Sequence, residues 1–274
     1  MGDKSIECFA PAKINYNLHI VGKRADGYHN IESLMGFLDI GDAVTITNNH
    51  KFSYEVRGPF SHHTPKDIDQ DLVVQAAKLF SKQTGVDLNV KITVEKNLPA
   101  GAGMGGGSSD AAAVLKGLNT YYETNLAEDV LCEMGLTLGS ELPVCIRGQL
   151  TQVSGRGEIL KPSQQDIEAS PIVVVWPNQI CSTAEIFKNF TLPETRSGAD
   201  MYNDLMDVAC ARYPVIKTCI EGLSAQNGCQ KALMNGSGSS CYAVFDARGN
   251  ADKALQNIKN LYPSWWVKVT NPIC

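Results

Sequence analysis

The sequence predicts an α+β protein in two domains. Three observations lead there. Segments of strand period and segments of helix period are mixed along the chain. A length of 274 residues is generous for one domain and enough to bury a core in each of two. The pattern also restarts after the glycine-bearing turn VSGRGEILKP at 153–162. A division near residue 155 follows, giving 1–155 and 156–274.

The elements follow in chain order. KINYNLHIV (13–21) alternates Ile14, Tyr16, Leu18 and Ile20 with polar residues and predicts a strand buried on one face. Shorter strands are expected at 42–47 and 52–57. DIDQDLVVQAAKLFSKQTG (67–85) has helical spacing and a glycine stop. VDLNVKITVEK (86–96) alternates again as a strand, helices are expected at 108–122 and 126–135, and a short apolar strand at 143–147. In the second half SPIVVVWP (170–177) reads as a strand between prolines. Helices are expected there at 182–189, 200–211, 214–225 and 250–260, and strands at 230–235, 240–246 and 265–270.

Composition narrows the function. A formal charge of −5 argues against broad nucleic-acid binding. No apolar run reads as a membrane span, and the opening MGDKSIECFAPAK lacks the core of a signal peptide. Nine scattered cysteines without a CxxC pair suit reduced thiols in a cytoplasm rather than disulfides or zinc. Oligomeric state leaves no mark.

One stretch stands apart. LPAGAGMGGGSSDAAAVLKGLN (98–119) places glycines at 101, 103, 105, 106 and 107 and then turns into an alanine-rich helix. Glycine admits positive φ and close approach, and a helix start offers unpaired N–H groups and a positive dipole end. The combination is a cradle for an anion, above all phosphate. A dinucleotide fingerprint fits poorly, because Pro99 separates the strand from the glycines and the acidic candidate Glu123 ends a helix. A Walker A loop fails because Gly107, not lysine, precedes Ser108. A purely structural turn would not need so many glycines.

The segment NLPAGAGMGGGSSDAAA resembles the phosphate-binding motif of the GHMP kinases, the galactokinase, homoserine, mevalonate and phosphomevalonate kinases. APAKINYNLHIVGKRADGYHNIESLMGFLDIGD (10–42), LGSELPVCIRG (138–148), VSGRGE (153–158) and NGSGSSCYAVF (235–245) follow in order. Together these are similar to members that phosphorylate a cytidyl diphosphate polyol in the non-mevalonate route to isoprenoid precursors. The resemblance spans the chain. It implies a two-domain GHMP kinase fold, with an N-terminal domain like domain 2 of ribosomal protein S5 and a ferredoxin-like C-terminal domain. ATP and Mg²⁺ would serve the reaction, and the partner would be a small cytidyl diphosphate substrate. Another small-molecule kinase of the family, or a nucleotide-binding protein with impaired turnover, remains open at this point.

The resemblance also implies roles. Pro99, Ala100, Gly101, Ala102, Gly103, Met104, Gly105, Gly106, Gly107, Ser108 and Ser109 would bind ATP, with Ser108, Ser109 and Asp110 as neighbours of Mg²⁺ whose ligands the sequence leaves unknown. Lys13 would be the catalytic lysine at the head of its strand, and Asn15, two residues on, would bind substrate from the same face. Tyr28 and His29 of DGYH would recognise cytosine by stacking and by hydrogen bonds, with Phe187 on the opposite wall. Gly236, Ser237 and Gly238 would form a supporting turn, and Asn235 stands where Ser or Thr is usual. Glu141 would be the base, one methylene longer than the aspartate usual there, opposite Lys13.

Overall fold

Strand pairing in the described part of this protein is mostly antiparallel. A computed structural model describes residues 4–165, 170–192 and 202–273. In chain order the first elements are β1 (Ser5–Asn15), β2 (His19–Lys23), β3 (His29–Asn48), β4 (Ser53–Arg57), α1 (Leu72–Thr84) and β5 (Val90–Glu95). There follow α2 (Gly106–Tyr121), α3 (Glu128–Leu136), α4 (Leu142–Arg147), β6 (Thr151–Gly155), β7 (Ile159–Pro162) and β8 (Ile172–Trp176). The last are α5 (Thr183–Asn189), α6 (Met206–Arg212), α7 (Pro214–Ser224), β9 (Cys229–Met234), β10 (Cys241–Phe245), α8 (Arg248–Leu261), β11 (Trp266–Thr270) and β12 (Pro272–Ile273). Among the described residues no helix is long and apolar enough to cross a membrane.

The chain divides into two units, Met1–Lys13 with Ile40–Ala100 and Gly105–Gly148, and Ile14–Asp39 with Gly101–Met104 and Gln149–Cys274. They interleave because β1 and β3 each give one part to each unit, so a single cut at 155/156 does not coincide with them.

In the first unit β3 pairs with β5 from Ala43↔Glu95 to Asn48↔Val90. β4 lies parallel to β5, a geometry that needs the crossover α1 provides. α2 packs close on the sheet: a Cβ at Gly117 would come within 2.7 Å of Ile46 and 2.9 Å of Cys8 Sγ. Buried Ala111, Ala112 and Ala113 keep the rest of that helix slim. Asp71 caps α1 by accepting from the Val73 N–H, and Gly85 ends it at φ 73°.

In the second unit the first part of β3 pairs with β2 (Lys23↔His29) and with β6 (Ile31↔Gly155), and β6 turns back into β7. A separate four-stranded antiparallel sheet has the order β11-β8-β10-β9. With α7 before β9 and α8 before β11, that order is ferredoxin-like, and Ile216, Cys219 and Leu223 of α7 and Ala251, Ala254 and Ile258 of α8 are buried.

Four expectations change. The strand expected at 143–147 is helix α4, because a fully buried run has no period to read, while Pro143 in the first turn and Gly148 in the left-handed cap are helix signals. The strand expected over 13–21 is broken between Asn15 and His19, and Lys13 lies near the end of β1 rather than at its head. The segment 42–47 is the end of a twenty-residue strand. The helix expected at 200–211 is found from Met206; residues 200 and 201 lie outside the described residues.

The first unit also buries three ionisable side chains together. Lys96 contacts Asp42 and, at 2.6 Å, Asp110. Asp42 also accepts the Leu98 N–H at 2.8 Å and the Asn97 N–H, whereas Asp110 Oδ1 is buried without a hydrogen-bond partner among the described residues. Burial pushes Asp110 up to about 8 against the pull of Lys96, and Asp42 adds to the push. The folded state therefore holds a proton on Asp110 that the unfolded chain releases near about pH 4. Between those values the folded state binds more protons, so this group's contribution to stability falls as pH rises. Asp110→Asn should remove that slope. Denaturant unfolding at pH 5 and pH 8 should show the variant gaining on the parent at pH 8, and an equal difference at both would contradict the assignment.

Candidate active site

The anion cradle expected from the glycines begins at Gly105, which caps α2 from the left-handed region at φ 67°, with no side chain bonded to the cap. Gly105 and Gly106 each have a lysine beside them. A Cβ at Gly105 would lie 3.3 Å and 3.4 Å from side-chain carbons of Lys13, and one at Gly106 would lie 3.5 Å from Lys96 Nζ. Ser109 is buried and its hydroxyl donates to the Pro11 carbonyl at 2.6 Å, tying the first turn of α2 to β1.

Lys13 is 1% exposed, a buried cation rather than a solvated one. Its Nζ lies 3.5 Å from Glu141 Oε1, and the Glu141 side chain keeps 40% of its exposure. The expected opposition of this cation and this carboxylate is thus present. Glu141 is placed by the start of α4, whose rigid first turn contains Pro143. Cys145, one turn on, is no rival nucleophile, since burial and then Glu141 push its thiol up to about 12.

The start of the loop is held by a residue that motif reading missed. The Ala100 N–H donates to His63 Nδ1 at 3.4 Å. Burial, helped by neighbouring His62, holds His63 below its ordinary value, which keeps the accepting nitrogen unprotonated. A histidine far from the glycines in sequence gives no local signal of this contact. The Lys96, Asp42 and Asp110 group escaped for the same reason.

In the second unit, Gly103 at φ 79° would place a Cβ 2.5 Å from the Asn235 carbonyl and 2.9 Å from that of Gly238. The expected turn is there, closed by the Gly238 N–H to the Asn235 carbonyl at 2.9 Å. Asn235 has a larger part than its place in the motif suggested: its Oδ1 accepts the Asn15 backbone N–H at 2.9 Å. Asn203 Nδ2 donates to the carbonyls of Met234 and Gly236 at 2.9 and 2.7 Å. Asn15 is buried and its Nδ2 donates to Ser33 Oγ at 2.8 Å.

The aromatic residues are also brought together. The His29 ring lies 5.3 Å from that of Phe187 and 6.3 Å from that of Phe190. Burial, and secondarily Lys23, lower His29, so at neutral pH its ring offers one donor and one acceptor. Tyr28 is 60% exposed, with the Arg156 guanidinium 5.1 Å from its ring centroid.

A family model for the GHMP kinases N terminal domain matches residues 71–149, and one for the GHMP kinases C terminal region matches 195–264. The chain is similar to the 4-diphosphocytidyl-2-C-methyl-D-erythritol kinase of Cereibacter sphaeroides, 35% identical over 279 residues, with 96% of this chain and 97% of that one covered. It is similar also to the enzyme of that name from Ectopseudomonas mendocina, 38% identical, with 93% and 88% covered. A crystal structure of 4-(cytidine 5'-diphospho)-2C-methyl-D-erythritol kinase matches with a TM-score of 0.81 at 27% identity, over 97% of this chain and 99% of that one. Homoserine kinase from Cytophaga hutchinsonii matches with a TM-score of 0.72 over 99% and 96%, but at 16% identity, a likeness of fold alone.

The two neighbouring glycines separate conformation from space. Gly105→Ala forces an L residue into the left-handed region beside Lys13, which should cost about 1–2 kcal/mol of stability. Gly106→Ala adds a methyl at ordinary contact distance and should be close to neutral. Chemical denaturation of both variants checks this, and equal losses would contradict it.

Proposed function

Since the chain belongs to the GHMP kinase family, and within it to the 4-diphosphocytidyl-2-C-methyl-D-erythritol kinases, we propose that it moves the γ-phosphoryl of ATP to the 2-hydroxyl of 4-diphosphocytidyl-2-C-methyl-D-erythritol. The products are the 2-phosphate and ADP, a step toward isoprenoid precursors by the non-mevalonate route. The observation that carries the residue assignment is the buried Lys13 facing Glu141 beside the glycine loop.

Phosphoryl transfer asks a protein mainly for alignment and charge stabilisation. We assign the cradle to the backbone of Pro99–Ser109. The acceptor oxygen bonds to the γ-phosphorus as the bond to the β,γ-bridging oxygen breaks, and the hydroxyl proton passes to Glu141. Lys13 orients that hydroxyl and offsets the negative charge that develops on it. Because the transition state is loose, the proton can leave late, so a glutamate can do the work of an aspartate by orienting the hydroxyl. Tyr28, His29, Phe187 and Asn15 are assigned to the cytidyl substrate.

Mg²⁺ belongs to this proposal. Among the described residues no three His, Cys, Asp or Glu side chains group to hold a metal. Of the three neighbours named for Mg²⁺, Asp110 is engaged by Lys96 and the Ser109 hydroxyl donates to the Pro11 carbonyl. That sparse set fits a hard cation bound mainly through phosphate oxygens and water. When bound, Mg²⁺ neutralises phosphate charge. We also propose 1–155 and 156–274 as the family's N- and C-terminal domains, in keeping with the matched ranges. The cytoplasm is the proposed compartment, where eight described cysteines would persist as the free thiols they are.

Glu141→Gln should lower kcat by about 10²-fold or more, with little change in the KM of either substrate. Glu141→Asp should retain much of the parent turnover. Steady-state kinetics with both substrates varied checks this, and parental turnover by Glu141→Gln would send the proton by another route.

A further inference from the structure

The turn between β6 and β7 carries the GRGE sequence, to which no role has been given above. It is firmly built. The Arg156 N–H donates to the Glu158 carboxylate, and the Gly157 N–H to the Ser154 carbonyl at 3.2 Å. Gly155 and Gly157 have φ of 74° and 122°, and a Cβ at Gly155 would lie within 2.7 Å of the Glu158 carboxylate. Gly155 pairs with Ile31 of β3, so the turn stands beside the start of that strand, next to Tyr28 and His29.

The backbone of Tyr28 is also fixed. Its carbonyl accepts from the Arg24 N–H at 2.8 Å and its N–H donates to Asp26 Oδ1 at 3.1 Å. Its ring, 60% exposed, is not held by burial. A tyrosine at a hairpin tip would sample several rotamers, and any partner needing one of them would meet the entropy of selecting it. Arg156 supplies the restraint, its guanidinium lying over the ring at 5.1 Å.

We propose that Arg156 is a positioning residue for substrate recognition: it holds the Tyr28 ring in one orientation and leaves the opposite face to receive cytosine. The inference rests on the reading that Tyr28 stacks on the base. It gives the GRGE turn a purpose, since the two glycines and the folded-back Glu158 aim the arginine.

A double-mutant cycle tests it, with calorimetric affinities of the full chain for 4-diphosphocytidyl-2-C-methyl-D-erythritol and, separately, for ATP. Tyr28→Ala should weaken substrate binding about tenfold, the worth of a base stack. Arg156→Ala should weaken it about two- to tenfold, while Arg156→Lys, which keeps a cation for the ring face, should keep most of the affinity. The double variant should bind no more weakly than Tyr28→Ala alone, and ATP affinity should hold throughout. Should Arg156→Ala cost the same factor with and without Tyr28, the arginine touches the ligand directly and the inference is overturned. It is overturned likewise if Tyr28→Ala weakens binding and Arg156→Ala does not. No effect of Tyr28→Ala would instead defeat the stacking assignment itself.

Discussion

A lysine ammonium taken out of water needs a counter-charge, and the turn at Gly105 and Gly106 has one such lysine against each glycine. Lys13 is met by the carboxylate of Glu141 and Lys96 by that of Asp42, with Asp110 as a second oxygen partner of Lys96. Much of the first unit follows from satisfying these two cations. Gly105 lies in the left-handed region, and a Cβ there would also make a tight 3.3 Å contact with Lys13. Asp42 collects the N–H groups of Asn97 and Leu98 as well as Lys96, and so fixes the segment that leads into the loop. Asp110 brings the first turn of α2 to the same cluster. The N-terminal end of the α2 dipole lies beside these compensated pairs and supplies positive potential at that spot. A polyanion placed there would meet a field already assembled, without having to order it.

The other end of the glycine tract answers to packing. Gly101 would put a Cβ 2.9 Å from Ile180, and Gly103 would strike the carbonyls of Asn235 and Gly238. Asn235 and Asn203 add side-chain amide hydrogen bonds to the backbone bond that closes that turn. The glycines that look alike in sequence thus have different duties: close approach at 101 and 103, and a helix start beside buried cations from 105 on.

What the sequence made legible was local. The period of residues 72–84 could be read because one face of the helix is buried, and the alternation of Ile92 and Val94 for the same reason. β8, buried throughout, could be read from its valine-rich run between prolines. Helix α4 could not, since Leu142, Pro143, Val144, Cys145 and Ile146 are all buried and leave no period. The site divides in the same way. Lys13 and Glu141 were named as an opposed pair through motif resemblance, and they lie 3.5 Å apart. Lys96 meets Asp42 across 54 positions of sequence and Ala100 meets His63 across 37, and neither pairing has a local signature. Charge compensation in a core is a property of the folded neighbourhood, so only coordinates reveal it.

Whether this chain is a cytidyl-polyol kinase is tested most directly by the identity of its product. ATP and Mg²⁺ should be offered with 4-diphosphocytidyl-2-C-methyl-D-erythritol, homoserine and mevalonate in one mixture, and the products read by mass and by phosphorus NMR. One new phosphate monoester on the 2-position of the cytidyl polyol, with the other two acceptors untouched and ADP formed in equal amount, is the expected result. Preferential phosphorylation of homoserine or mevalonate, or ADP formation without a phosphorylated cytidyl product, would contradict it.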